Sequence, residues 1–235
     1  MSLFVLGQTR YRIGTARLQR RLSRSLNRVA RKASDAGEVF DAASAIAEGD
    51  LSISPSQLRG EMVAFMSHVQ REQPRRVLEI GTYKGGTLYL LAWASAPNAR
   101  LLSLDIPELR TFAHGRQHVD AWRVDSSATQ TRDAVHAFFG HDPVDLLFID
   151  GGHAYEAVTR DFELYAPLIR PGGWIAFHDI VDGPSHLVGQ VPRFWQEVKP
   201  SLTDVVELVD SWAQGGYGIG LGRKPTCVPG SGGSG

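Results

Sequence analysis

Val77-Leu-Glu-Ile80-Gly81-Thr-Tyr-Lys-Gly85-Gly86 is the stretch on which the fold turns. A short, continuous apolar run ends beside an acidic residue and passes into glycines, the pattern of a strand buried on both faces that turns tightly into a helix. Three further runs have the same character: Leu101 to Leu104, Leu146 to Ile149 and Trp174 to Phe177, with another strand expected around Trp122 to Val124. Between them lie helical patterns over Thr87 to Ala96, Thr129 to Phe139 and Tyr155 to Ile169. Strands alternating with helices predict a mostly parallel, right-handed α/β sheet. Val205 to Val209 and Tyr217 to Leu221 are joined by so few residues that only an antiparallel hairpin can connect them.

The fold expected is therefore a Rossmann-like seven-stranded sheet with a C-terminal antiparallel hairpin, preceded by N-terminal helices. Residues 1–50 read as a basic helical extension, 51–228 as the α/β domain and 229–235 (PGSGGSG) as a flexible tail. A helix is predicted over Pro55 to Val69 with Ser54 or Ser56 as its cap.

Composition narrows the classes of function. The 235 residues are 43% hydrophobic and 21% charged, ordinary for a globular protein, and no apolar stretch is long enough to span a bilayer. The single cysteine, Cys227, allows neither a disulfide framework nor a thiolate metal site, so a cytoplasmic location is expected. Net charge is zero, yet residues 1–34 hold nine basic side chains and no acidic one. From Ala16 to Ala33, Leu18, Leu22, Leu26 and Val29 recur at helical spacing among arginines. Such a basic amphipathic helix could lie on an anionic membrane surface, touch nucleic acid, or pack its leucines on a second subunit or on its own domain. Homo-oligomerisation through the N-terminal helices is the expectation.

Ligands of open α/β sheets bind beyond the carboxyl ends of the strands. In the loop Gly81-Thr82-Tyr83-Lys84-Gly85-Gly86 a dinucleotide site would place glycine where Tyr83 stands, and this side chain obstructs a pyrophosphate. A nicotinamide oxidoreductase is the alternative that Tyr83 argues against. Glu79 would repel an anionic ligand and hold a cationic amino-acid group. Asp105, followed by Ile106, ends the second strand where a carboxylate accepts from two ribose hydroxyls, and Asp125 and Ser126 follow the third, where an adenine would lie. These features suit a nucleoside without a pyrophosphate.

A second constellation closes the fourth and fifth strands: Asp150-Gly-Gly-His153 and His178-Asp179. Neighbouring strands lie about 4.8 Å apart, so the two carboxylates converge at one rim and repel unless something cationic lies between them. Asp150, His178 and Asp179 could hold Mg²⁺ or a similar ion; alternatively Asp179 caps its loop and His178 is a satisfied core histidine. His153 is placed to act as a general base with Asp150, or else to cap the helix that follows. Asp161 and Glu163 read as solvated or paired with Arg160. The region from Asp182 to Gln196 reads as a lid over the acceptor, with Phe194 and Trp195 packed beneath it.

The strings VLEIGTYKGGT, DLLFIDGGHAYE, RDFELYAPLIRPGGWIAFHDI and GGYGIGLGRK resemble class I S-adenosylmethionine-dependent methyltransferases, in particular the cephalosporin-hydroxylase-like and metal-dependent sugar O-methyltransferase group. The resemblance covers Val77 to about Gly222. It implies methyl transfer from S-adenosylmethionine to a hydroxyl of a sugar or another small polar natural product, assisted by a divalent cation. It places Glu79, Gly81, Asp105 and Asp125 in the cofactor pocket, Asp150 with His178 and Asp179 at the metal positions, and His153 as the base. The family usually carries acidic or amide residues where His178 stands. A non-catalytic S-adenosylmethionine-binding module tethered by its basic helix is a further alternative.

Overall fold

The computed structural model describes Arg24, Arg28 and residues 31–45, 47–48, 51–106 and 117–226. The leucine stripe of the basic segment, Cys227 and the glycine-serine tail lie outside the described residues. Arg24, Arg28, Arg31 and Lys32 are helical and exposed.

Among the described residues, seven helices and seven strands frame the site. Helices α1 (Ala36–Ala45) and α2 (Arg59–Glu72) precede β1 (Arg76–Ile80), α3 (Gly86–Ala94), β2 (Arg100–Asp105), β3 (His118–Arg123), α4 (Thr129–Phe138), β4 (Val144–Ile149), α5 (Tyr155–Tyr165) and β5 (Ile169–His178). The chain then forms two shorter helices, α6 (Ser185–Val188) and α7 (Val191–Val198), and the strands β6 (Thr203–Leu208) and β7 (Ile219–Arg223). The sheet order is β3-β2-β1-β4-β5-β7-β6. The first five strands are parallel, and β7 runs antiparallel between β5 and β6.

The period-2 alternation of a strand explains why its runs are apolar throughout. Val77, Leu101, Leu146, Phe148 and Trp174 point to the layer holding α1, α2 and α3. Their neighbours Leu78, Leu102, Leu147, Ile149 and Ile175 point to the layer holding α4, α5 and α7. Both faces are covered, so neither tolerates a polar alternate position. Edge strand β3 follows a different rule: His118, Val119 and Asp120 are not fully buried, which is why its apolar signal began only at Trp122.

Several boundaries differ from the sequence reading. Helix α2 starts at Arg59, behind Leu58, and no side-chain cap bonds its first turn. Ser54 and Ser56 do not cap it because residues 54–57 run along a cleft instead. Helix α5 ends at Tyr165, and a 3₁₀ turn at Ala166–Leu168, carrying Pro167, leads into β5. No helix among the described residues is long and apolar enough to cross a membrane.

Candidate active site

Strand order reverses between β1 and β4, and the crevice opens at their carboxyl ends. A cleft of about 630 Å³ lies there. The turn out of β1 depends on glycine at one point: Gly81 has φ +99°, and a Cβ on it would lie 1.9 Å from the carbonyl oxygen of Asp150. The amide of Gly81 donates to Leu104 O and that of Asp150 to Ile80 O, each at 2.8 Å, so the three strand ends are held in register.

One end of the cleft is built around Asp105. Its Oδ2 accepts from the Tyr83 amide at 2.6 Å and its Oδ1 from the Ile106 amide at 2.7 Å. Each oxygen retains a lone pair, so the carboxylate is aimed but not saturated. Tyr83, at φ +45°, and Ile106 are both exposed, and with Leu104, Val124 and Ser126 they line this end. Asp125 does not: it is exposed, and its Oδ1 accepts from the Ser127 amide at 2.9 Å and the Ser127 hydroxyl at 2.7 Å. Thr82 and Gly86 line the cleft, whereas Gly85 does not.

Glu79 is completely buried behind this wall. Its Oε2 accepts from the Ser103 hydroxyl, which also contacts Thr82 Oγ1 at 2.5 Å, and its Oε1 has no partner. Burial pushes the Glu79 carboxyl up to about 8; the Ser103 hydrogen bond opposes this, and the charges of Asp150 and Asp105 add to it.

At the other end, Asp150, His153, His178 and Asp179 come together. His178, buried at 5% exposure, donates from Nδ1 to Asp150 Oδ1 at 3.0 Å and lies 3.4 Å from Asp179 Oδ2. Burial alone would depress its imidazole, but the two carboxylates outweigh it and hold the pKa up at about 10. His153 Nε2 lies 3.3 Å from Asp179 Oδ2. The His153 loop is clamped by the link between α6 and α7: Gln190 donates its amide to His153 O at 2.8 Å, and Gly189, at φ +54°, leaves no room for a Cβ, which would sit 2.2 Å from that carbonyl. Leu187, Val188, Gly216 and Tyr217 form the outer wall. Phe194 and Trp195 are buried in the core.

Residues 78–180 match the family model described as a methyltransferase domain. Over these residues the chain is similar to a methyltransferase domain. The uncharacterized protein R132 of Acanthamoeba polyphaga mimivirus is 28% identical over 142 residues, 55% of this chain and 58% of that protein, so the chain spans little more than half of this relative. Among solved structures, the fold is similar to an O-methyltransferase from Bacillus cereus in complex with S-adenosylhomocysteine, at 20% identity and TM-score 0.53 over 88% of this chain and 97% of that one. It is also similar to the MycE methyltransferase of the mycinamycin biosynthetic pathway, in complex with Mg and S-adenosylhomocysteine, at 19% identity and TM-score 0.50 over 70% of this chain and 49% of that one.

The cleft also draws on residues that do not follow a strand end. Gln57, ahead of α2, donates from Nε2 to Asp150 Oδ2 at 2.5 Å. Asp161, expected to be solvated, is 3% exposed. Its carboxyl is pushed up to about 6, mainly by burial, against a hydrogen bond from Ser126 and with the Asp125 charge adding to the rise. Its place on α5 turns it under Ser126 and Gly151, where helical periodicity alone shows one more acid on an amphipathic face.

Two groups can be tested against these residues. The cleft volume lies within the range of small-molecule sites, and a carboxylate aimed at one end with a buried, half-unpartnered acid behind the wall suits a cationic nucleoside. For a metal, one ligand atom each from Asp150, His153 and Asp179 lie within 4.8 Å of one another, a mixed oxygen and nitrogen donor set that divalent cations accept. His153 thus joins the two carboxylates, while His178 packs behind them as their hydrogen-bond donor.

Proposed function

We propose that this protein is an S-adenosylmethionine-dependent O-methyltransferase, assisted by a divalent cation, that methylates a hydroxyl of a sugar or another small polar natural product. The observation that carries the reading is the convergence on one cleft of Asp105 at the nucleoside end with Asp150, His153 and Asp179 at the other. Asp105 takes the ribose hydroxyls, and Ile106, Val124 and Ser126 flank the adenine. The methionine end then lies toward Gly86, Thr87 and Asp150. Mg²⁺ in complex with the similarly folded MycE supports the metal assignment.

The reaction divides among side chains already described. His153, whose Nε2 lies 3.3 Å from Asp179 Oδ2, takes the acceptor's proton at Nδ1 as the oxygen attacks the methyl carbon and that carbon's bond to sulfur breaks, releasing S-adenosylhomocysteine. Asp150 and Asp179 would hold the cation, which when bound favours the ionised form of a nearby hydroxyl. The donor is already activated, so holding acceptor and methyl group in line supplies much of the rate. Chelation tests the metal assignment: turnover should fall at least about tenfold in EDTA and return with Mg²⁺, and unchanged turnover would remove the ion from the reaction.

Glu79 makes cofactor binding pH-dependent. With its pKa at about 8, the carboxyl is mostly protonated at neutral pH, and a cationic ligand favours the carboxylate. Binding of S-adenosylmethionine below pH 8 should therefore release up to about one proton, with affinity rising as pH approaches 8 and levelling above it. Calorimetry at pH 7 in phosphate and in Tris measures this directly; identical heats in the two buffers would contradict it.

The reading as a whole is tested by calorimetry with S-adenosylhomocysteine and with NADH, followed by a tritiated-methyl screen of glycosylated acceptors with and without Mg²⁺. Binding of NADH alone would replace it with an oxidoreductase. Cofactor binding without transfer to any acceptor would favour the tethered binding module.

A further inference from the structure

Gln57 belongs to none of the sequence motifs and lies outside residues 78–180, yet it touches both halves of the site. Its side chain is 6% exposed. Besides donating to Asp150 Oδ2 at 2.5 Å, it accepts at Oε1 from the Thr87 hydroxyl at 3.0 Å. Thr87 sits in the first turn of α3, and both residues line the cleft. Asp150 Oδ1 is already engaged by His178, so Gln57 supplies the second of the two hydrogen bonds that orient this carboxylate.

The segment carrying Gln57 is itself fixed at both ends. A Cβ on Gly86 would lie 2.0 Å from the carbonyl oxygen of Ile53 and 2.7 Å from the nitrogen of Pro55, so residues 53–55 cross directly over the start of α3. On the other side, buried Glu61 of α2 accepts from the Gly218 amide at 2.9 Å and from Gln214 Nε2 at 2.6 Å. A carboxamide can donate to a carboxylate through its nitrogen and accept from a hydroxyl through its oxygen at once. Glutamate would set a second negative charge against Asp150, and an apolar side chain would leave both partners without their bond.

We propose that Gln57 is a positioning residue that ties the wall of the methionine end to Asp150 and holds that carboxylate in register with the bound cofactor. The proposal rests on the S-adenosylmethionine reading above. It predicts a loss confined to ligands that carry the amino-acid part of the cofactor. S-adenosylhomocysteine carries it; 5′-methylthioadenosine does not.

The test is calorimetric titration of both ligands into the wild type, Gln57→Leu, Gln57→Met, Asp150→Ala and the Gln57→Leu/Asp150→Ala double variant. Either Gln57 substitution should weaken S-adenosylhomocysteine about tenfold or more and 5′-methylthioadenosine less than about twofold. In the Asp150→Ala background, Gln57→Leu should add less than about twofold, because the carboxylate through which Gln57 acts is already gone and only its bond to Thr87 remains to be lost. Three results would overturn the proposal: wild-type affinity in either Gln57 variant, equal loss of both ligands, or full multiplication of the two single effects. A wild type that binds neither ligand would instead remove the S-adenosylmethionine reading itself.

Discussion

His153→Ala should lower kcat by about 10²–10⁴-fold at saturating cofactor, the range that a positioned general base contributes. Affinity for S-adenosylhomocysteine should stay within about twofold, because His153 stands at the acceptor end, across the cleft from Asp105. The imidazole is held for this work: Nε2 against Asp179 at 3.3 Å and the backbone carbonyl against Gln190 at 2.8 Å leave the ring little freedom. The same ring lies within 4.8 Å of both carboxylates, so a ligand role has a distinct signature. Excess Mg²⁺ should not restore the variant if His153 is the base; restoration would make it a metal ligand. A fall of less than tenfold in kcat would remove it from the proton transfer altogether.

Asp161→Asn should stabilise the fold at pH 7.5 by about 1–3 kcal/mol, the scale of a shift from the usual 3.8 to about 6 in a carboxyl that is 3% exposed. The sign follows from linkage. The folded protein binds this proton more tightly than the unfolded chain, so stability falls as pH rises from about 4 to about 6 and the full cost persists above that window. Asparagine carries no charge and avoids it. Urea denaturation at pH 7.5 and at pH 4 should show the gain at the higher pH and little of it at the lower. A variant less stable than wild type at pH 7.5 would show that the Ser126 hydrogen bond to the carboxylate outweighs its burial.

Both side chains show where reading the chain succeeds and where it stops. His153 could be found because it follows a strand end, and in an α/β sheet the strand ends converge on the crevice wherever the helices lie. Asp105, Asp150 and Asp179 are legible for the same reason. Asp161 is six residues into an amphipathic helix, where an acid beside Arg160 looks solvated. Its burial depends on how α5 rests against the loop after β3. Gln57 is harder still: residues 55–57 looked like the first turn of α2, and only the path of residues 53–55 over Gly86 turns that segment into a wall of the cleft.

The sequence by itself determined the sheet and the crevice. Strands covered on both faces leave an uninterrupted apolar signature, and the tight turn at Gly81 admits no side chain. It also determined that two carboxylates and two imidazoles lie beyond β4 and β5, since parallel neighbours bring their ends to one rim. Only the tertiary structure decided where each imidazole stands. His178 ends a strand buried on both faces, so its ring is trapped between Asp150 and Asp179 as a hydrogen-bond donor. His153 is held in a loop by the link between α6 and α7 and faces the open cleft. Residues three and twenty-eight positions from Asp150 thus stand in different surroundings because one ring is enclosed by the sheet and the other is not.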